Sequence, residues 1–290
     1  MNIQNLSAFI SVSETGSFSK AADRLFLTQP AVSKRISALE SELDVKLFDR
    51  IGKSVQLTEA GLALRPSCLR ILAELEESRR IVSNLSGHIG GQLKIGTSHH
   101  IGLHRLPPVL SHYKQQYANV DLDIHFMDSE EACDAVLKGE LEIAIATLPD
   151  KAPAKLATQI IWHDPLGVVV SRKHALATQK NVTLKNLVQY PAILPSQSTY
   201  TRALLEKKLG INTNKLKIAM ETNYLETIKT MASIGLGWSV LPLAMCDKNL
   251  VHIDVNNTHM QRQLGVAWHR ERTLSNAATR LIDSLRKHAD

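Results

Sequence analysis

Gln29, Ser33, Lys34 and Ser37 recur at helical spacing, and their amide, hydroxyl and ammonium groups are the kinds that pair with base edges and phosphates in a DNA groove. They share a helix whose other face carries Val32, Ile36, Leu39 and Leu43 at steps of four, three and four, one buried stripe. Thr28 is placed to cap that helix. Pro30 falls in its first turn, where the missing N–H has no intrahelical partner to lose. Upstream, Ser17 is placed to cap a shorter helix carrying Ala21, Ala22 and Leu25, and only Phe26 and Leu27 lie between the two. A helix, a tight turn and a second helix with a polar outer face suit the major groove. The competing reading of the same spacing is a small helical domain with a solvated face.

The next segment favours the groove. From Lys46 to Leu57 two short apolar stretches flank a turn containing Gly52 and Lys53, which predicts a β-hairpin wing. Arg50 and Lys53 would stand near its tip, in reach of a phosphate or the minor groove. Global charge adds little: residues 1–58 hold seven Lys or Arg against six Asp or Glu, although the whole chain is formally +6. The electrostatic case therefore rests on local clustering of Lys20, Arg24, Lys34 and Arg35 with Arg50 and Lys53.

At this point the chain resembles the LysR-type transcriptional regulators, and the resemblance covers its whole length. It is carried by Phe9, Gly16, Ser17, Ala21, Ala22, Leu25, Thr28, Gln29, Pro30, Ala31, Val32, Ser33, Leu39, Glu40, Leu47, Phe48, Arg50, Leu57, Thr58, Ala60 and Gly61. The resemblance implies an α/β protein with an N-terminal winged helix-turn-helix, a long linker helix and a C-terminal two-lobed effector domain similar in fold to periplasmic binding proteins. It implies operator DNA as partner, with Gln29, Pro30, Ser33, Lys34 and Arg50 in DNA contact. Lys53 stands where many members carry arginine, which keeps the charge but loses the bidentate fork.

Residues 58–87 read as one helix of roughly 40 Å at 1.5 Å per residue. Gly61, Leu64, Cys68, Ile71, Leu75, Ser78, Val82 and Leu85 form a heptad seam on it, and such seams face another helix. The partner helix could belong to the chain's own C-terminal domain. The resemblance implies instead a homodimer or homotetramer suited to a dyad-symmetric operator, with contact to the transcription machinery compatible with that role.

From Gly90 onward short apolar strands alternate with helices, which predicts α/β architecture with parallel sheets. Domain limits are expected at 1–58 for the head, 59–87 for the linker and 88–290 for the effector domain. The first lobe would span about 90–162 and 268–290 and the second about 163–267, hinged near His163 and Trp268. Open α/β sheets bind ligands at the carboxyl ends of their strands. Reading those ends gives Thr97, Ser98, His99, His100 and Thr147 from the first lobe. The second lobe contributes Ser196, Ser198, Thr199, Thr222, Asn223, Gly237 and Trp238. Two helix starts, at 97–100 and 196–199, carry no acidic residue, so the expected effector is a small anion such as a carboxylate or oxyanion. Protonation of His99 or His100 near pH 6.5 would add positive charge there.

Other chemistries lack support. His99, His100 and His104 lie close together, but no cysteine or HExxH pattern accompanies them, so no metal or other cofactor is expected. The GxSxG elbow and the GxxxxGK[ST] loop are absent, so no catalytic residue is assigned. A solute-binding or enzymatic α/β protein with an accessory helical head is the alternative. Three cysteines far apart suit reduced thiols, with a thiol-based redox regulator as a further alternative. No secretory pattern and no apolar run of about 18 residues is present, so the expectation is a soluble cytoplasmic protein with no membrane partner.

Overall fold

The apolar stripe on the third helix is the piece around which the N-terminal unit closes. In a computed structural model describing residues 1–51, 54–87, 89–210, 216–255 and 258–289, with the side chains of Arg50, Ile51 and Ser54 excepted, the chain divides into two units. One is built on residues 1–86, the other on 87–137 and 141–290.

The first unit runs α1 (Ile3–Thr15), α2 (Phe18–Arg24), α3 (Gln29–Leu43), β1 (Phe48–Ile51), β2 (Ser54–Leu57) and α4 (Glu59–Leu85). Val32, Ile36 and Leu39 are buried with Leu6, Phe9, Val12, Ala21 and Phe48 in one cluster, and Leu43 packs at its margin. β1 and β2 pair antiparallel, Phe48 opposite Leu57 and Ile51 opposite Ser54, which is the expected hairpin. Cys68, on α4, is buried in the same cluster with Leu64, Leu69 and Leu72 against it. The head and the linker helix, expected as separate segments, thus form one unit. The first half of the heptad seam, Gly61 to Cys68, serves this core. Gly61 is required there because a Cβ would fall 2.3 Å from the Leu47 carbonyl oxygen. Beyond it Ile71, Ile81, Val82 and Leu85 are exposed.

The second unit runs β3 (Gly91–Thr97), α5 (His99–His104), α6 (Leu106–Gln116), β4 (Val120–Phe126), α7 (Ser129–Lys138), β5 (Ile143–Thr147) and β6 (Leu156–Ser171). It continues with α8 (Leu184–Leu187), β7 (Ala192–Leu194), α9 (Tyr200–Leu209), β8 (Ile218–Glu221) and α10 (Leu225–Ser233). The last elements are β9 (Ser239–Pro242), β10 (Leu250–Ile253), β11 (Met260–His269) and α11 (Asn276–Lys287). Its main sheet has the order β10-β6-β11-β5-β3-β4, with β9 also on β6. β3 pairs parallel with β4 and β5, but β6, β9, β10 and β11 pair antiparallel. The expected parallel sheets are therefore corrected to a mixed main sheet, with a separate parallel pair of β7 and β8. Crossing strands cause the mixture: β6 and β11 run antiparallel through both lobes.

Those strands pass from one lobe's core to the other's. On β6, Trp162 packs in the first lobe's core and Leu166 in the second's. On β11, Leu264 and Val266 belong to the first lobe's core and Met260 to the second's, and the register shifts between Leu264 and Gly265. The second crossing is thus nearer Leu264 than Trp268, which pairs with Ala157 and Ile143 inside the first lobe.

Candidate functional site

In the head, the caps form as read. The Ser17 hydroxyl accepts from the Lys20 N–H and the Thr28 hydroxyl from the Ala31 N–H, both at 3.4 Å. These bonds orient α2 and α3 and commit both hydroxyls to backbone. On the outer face of α3 the Gln29 amide donates to the Ser33 hydroxyl at 3.0 Å, with Pro30 and Lys34 exposed alongside. This i, i+4 pair holds the two polar side chains together on one turn. Two clustered cations are instead engaged within the head, Arg24 with Glu14 at 2.5 Å and Arg35 with Gln4 at 3.0 Å. Arg50 lies on β1 opposite Val55, while Lys53 falls outside the described residues.

Glu40, one of the residues that carry the family resemblance, is 9% exposed and structural. Its carboxylate accepts from the Leu47 N–H at 2.9 Å and from Lys46 at 2.8 Å, tying α3 to the base of the wing. Burial opposes its charge, but these donors prevail and hold its carboxyl below the usual value. Phe26, in the turn, has φ of +54° and is 95% exposed. Nothing in its residue type signals that left-handed backbone.

In the second unit a small cavity of about 60 Å³ lies between the lobes. Of the residues read from the strand ends, Ser98, His99, His100, Thr147, Thr199 and Asn223 line it. The other six expected residues do not. Thr97 is buried with its hydroxyl donating to the Ile145 carbonyl at 2.8 Å, a bond that joins β3 to β5. Gly237 packs on backbone, since a Cβ would fall 2.4 Å from the Pro191 carbonyl oxygen. Trp238 is buried in the second lobe's core and donates its indole N–H to the Tyr190 carbonyl. Ser196, Ser198 and Thr222 lie off the cavity lining.

Sequence reasoning missed Asp128, Ser129, Glu130, Pro195, Thr201, Tyr224, Leu225 and Arg262. The first three follow the end of β4, so the strand-end rule could have found them. Arg262 sits inside a crossing strand, directly opposite Asp164 in register, and bonds it at 2.6 Å. Its Nη1 points to Thr201 at 3.4 Å, and its buried Nη2 has no hydrogen-bond partner among the described residues.

Polar contacts bridge the lobes around this cavity. Glu130 accepts from the Tyr200 N–H at the first residue of α9. Asn223 donates to Asp128 at 2.5 Å and accepts from the Ser196 N–H at 2.8 Å. His99 lies between Phe126 and Tyr224, tilted to the first and edge-on to the second, with centroids 5.2 and 4.8 Å away. The helix start expected to be free for a ligand anion is thus already met by a carboxylate of the chain. His100 also departs from expectation: burial, and then the Arg262 charge, lower its pKa to about 4, so it stays neutral where an ordinary imidazole titrates. Burial likewise pushes the Cys133 thiol up to about 12, which disfavours the thiolate a redox switch needs.

Comparison with known proteins places these features together. Residues 3–62 match the bacterial regulatory helix-turn-helix of the lysR family, and residues 86–290 match the LysR substrate binding domain. The chain belongs to the LysR family of transcriptional regulators. This LysR-type chain is 32% identical to a probable RuBisCO transcriptional regulator of Synechocystis over 282 residues, covering 93% of the chain and 81% of that relative. A full-length OxyR variant from Pseudomonas aeruginosa superposes with a TM-score of 0.70 at 23% identity, covering 99% of this chain and 98% of that one. Full-length CbnR in complex with its target DNA gives 0.66 at 21% identity over all of both chains. At these identities the two structures establish the fold. Family membership makes the protein a DNA-binding regulator controlled by a small-molecule effector, not an enzyme. No helix among the described residues is long and apolar enough to cross a membrane.

Proposed function

We propose that this cytoplasmic regulator reads its operator through Gln29, Ser33 and Lys34, with Arg50 and Lys53 on adjacent backbone, and that its effector is a small anion held between the lobes. The observation that carries the effector reading is the buried Arg262 Nη2, a guanidinium donor with no partner among the described residues, at a cavity also lined by Ser98 and Thr199. A desolvated donor of that charge is costly unless an acceptor meets it. Asp128 and Glu130 oppose an anion, so binding must rearrange the contacts between the lobes. A ligand that favours one arrangement shifts the population toward it.

The exposed Ile81, Val82 and Leu85 on the distal half of α4 support a dimer formed with α4 of a second copy, as part of a homodimer or homotetramer. Two heads related by a two-fold axis would then match a dyad-symmetric operator.

Calorimetry of the full chain against small carboxylates and inorganic oxyanions tests the effector reading. Ser98 makes no capping bond with its side chain, so Ser98→Ala should leave the fold intact. It should weaken the anion by about 0.5–1.5 kcal/mol, the usual worth of one hydrogen bond. A tight neutral or cationic ligand indifferent to Ser98→Ala and Thr199→Ala would overturn it.

A further inference from the structure

Beside the cavity, three groups from both lobes converge in a way the effector reading does not use. His100 and His104 stand one turn apart on α5, with ring centroids 4.8 Å apart. Glu226, in the first turn of α10 on the second lobe, places Oε1 2.9 Å from His104 Nε2 and 3.7 Å from His100 Nδ1. One donor atom from each of the three lies within 4.8 Å of the others. We propose that His100, His104 and Glu226 bind a divalent transition ion of the zinc class, which clips the two lobes together.

Geometry and chemistry agree on that class. A tetrahedral ion with bonds of about 2.0–2.1 Å holds its ligand atoms about 3.4 Å apart; the two carboxylate–imidazole separations bracket that value, and the imidazole nitrogens, within 4.8 Å of each other, would have to close on the ion. Two imidazoles and one carboxylate form a borderline-soft donor set suited to zinc. Hard cations such as calcium take oxygen ligands in larger number. Three protein ligands also leave a fourth position for water.

A second observation points to a ligand independently of the clustering. His100 is 8% exposed, and its Nδ1 is buried with no hydrogen-bond partner among the described residues. A metal ion would satisfy that atom. His104 and Glu226 are part-exposed, which gives the ion a way in. On binding, His104 Nε2 and the Glu226 carboxylate would exchange their contact with each other for bonds to the ion, the imidazole proton residing on Nδ1.

The sequence alone shows only an i, i+4 histidine pair. The third ligand comes from 122 residues downstream, and the fold brings it across the gap between the lobes. His100 lines the effector cavity while His104 and Glu226 do not, so ion and effector would occupy adjoining sites that share His100 as a wall. An ion bound here would favour the closed lobes, and in that respect the inference rests on the effector reading.

The test needs neither effector nor DNA. Zinc chloride titrated into the full-length chain by calorimetry should show a strong site, and cobalt(II) should give the visible absorption of a tetrahedral site. His104→Ala and Glu226→Gln, both at part-exposed positions, should each weaken zinc by at least about tenfold, since even outer-shell changes cost about 10–100-fold. Circular dichroism verifies folding, and the cobalt spectrum of the unaltered protein stands independently of either variant. Absence of binding at submillimolar zinc, or unchanged affinity and stoichiometry in both folded variants, would overturn the site. Because the readout is metal affinity, failure here leaves the anion reading intact, and failure of the anion panel leaves this site intact.

Discussion

The carboxylate of Glu130, on the first lobe, accepts the backbone N–H of Tyr200, the residue that opens α9 on the second lobe. The same N-terminus is capped from within by the Thr199 hydroxyl, which accepts from the Arg202 N–H. A helix N-terminus favours negative charge, and here the chain supplies its own. Burial meanwhile pushes the Glu130 carboxyl up, so the contact is held at a cost in desolvation.

Glu130 should therefore compete with an anionic effector. Glu130→Gln removes the charge while keeping similar size, and the affinity for a small carboxylate or oxyanion should rise. A dipole interaction of about 0.3–1 kcal/mol corresponds to a gain of roughly two- to fivefold. Calorimetry on the full chain reads this directly, and unchanged or weaker anion binding would show that Glu130 is a strut between the lobes and not a stand-in for the ligand.

For the head, Gln29→Ala and Ser33→Ala remove the two members of the hydrogen-bonded pair on the outer face of α3. Each should lower discrimination between operator and random DNA by about 1–3 kcal/mol if it reads a base edge. Arg50→Ala should weaken binding to both DNAs and reduce the salt slope, as loss of a phosphate contact does. Fluorescence anisotropy at two salt concentrations separates the two effects. Equal loss on operator and random DNA for Gln29→Ala and Ser33→Ala would move those residues from base reading to positioning.

The parts legible in the sequence were those fixed by local pattern. Val32, Ile36 and Leu39 announce the buried face of α3 by their spacing, and Ser17 and Thr28 announce the starts of α2 and α3 by capping chemistry. Ser98, Thr147 and Asn223 were legible because cleft residues follow strand ends. Arg262 was not, because it lies inside a strand that only the antiparallel crossing brings to the cleft. Gly237 and Trp238 look like cleft residues in sequence, but close packing on Pro191 and Tyr190 claims them for the core. Glu226 shows the same limit, since only tertiary structure puts it beside His104.

Val82 and Leu85 on the distal half of α4 are 69% and 85% exposed. A charge at either position costs the isolated chain little, whereas in a helix–helix seam it would be buried without a partner. Val82→Glu with Leu85→Glu should leave the helical signal and thermal midpoint of the folded unit nearly unchanged and convert dimers to monomers in analytical ultracentrifugation. Persistence of the dimer at low micromolar protein would assign the interface to another surface.

Glu40 should make the head acid-sensitive. Its folded carboxyl lies below the ordinary value because the Lys46 and Leu47 donors overcome burial. For a carboxylate depressed in the folded state, the unfolded chain binds the proton first as pH falls. The stability it contributes is present above the unfolded value near 4.5 and is lost as pH drops through the folded value. Glu40→Gln keeps an acceptor for the Leu47 N–H but loses the charge, so it should cost up to about 1.5–3 kcal/mol at pH 7, the range for a hydrogen bond to a charged group. The difference between the two proteins should narrow as pH falls below 4.5. Urea midpoints of the head transition at pH 7 and near pH 4 measure it, and a difference that is independent of pH would show that the carboxylate charge does not hold α3 to the wing.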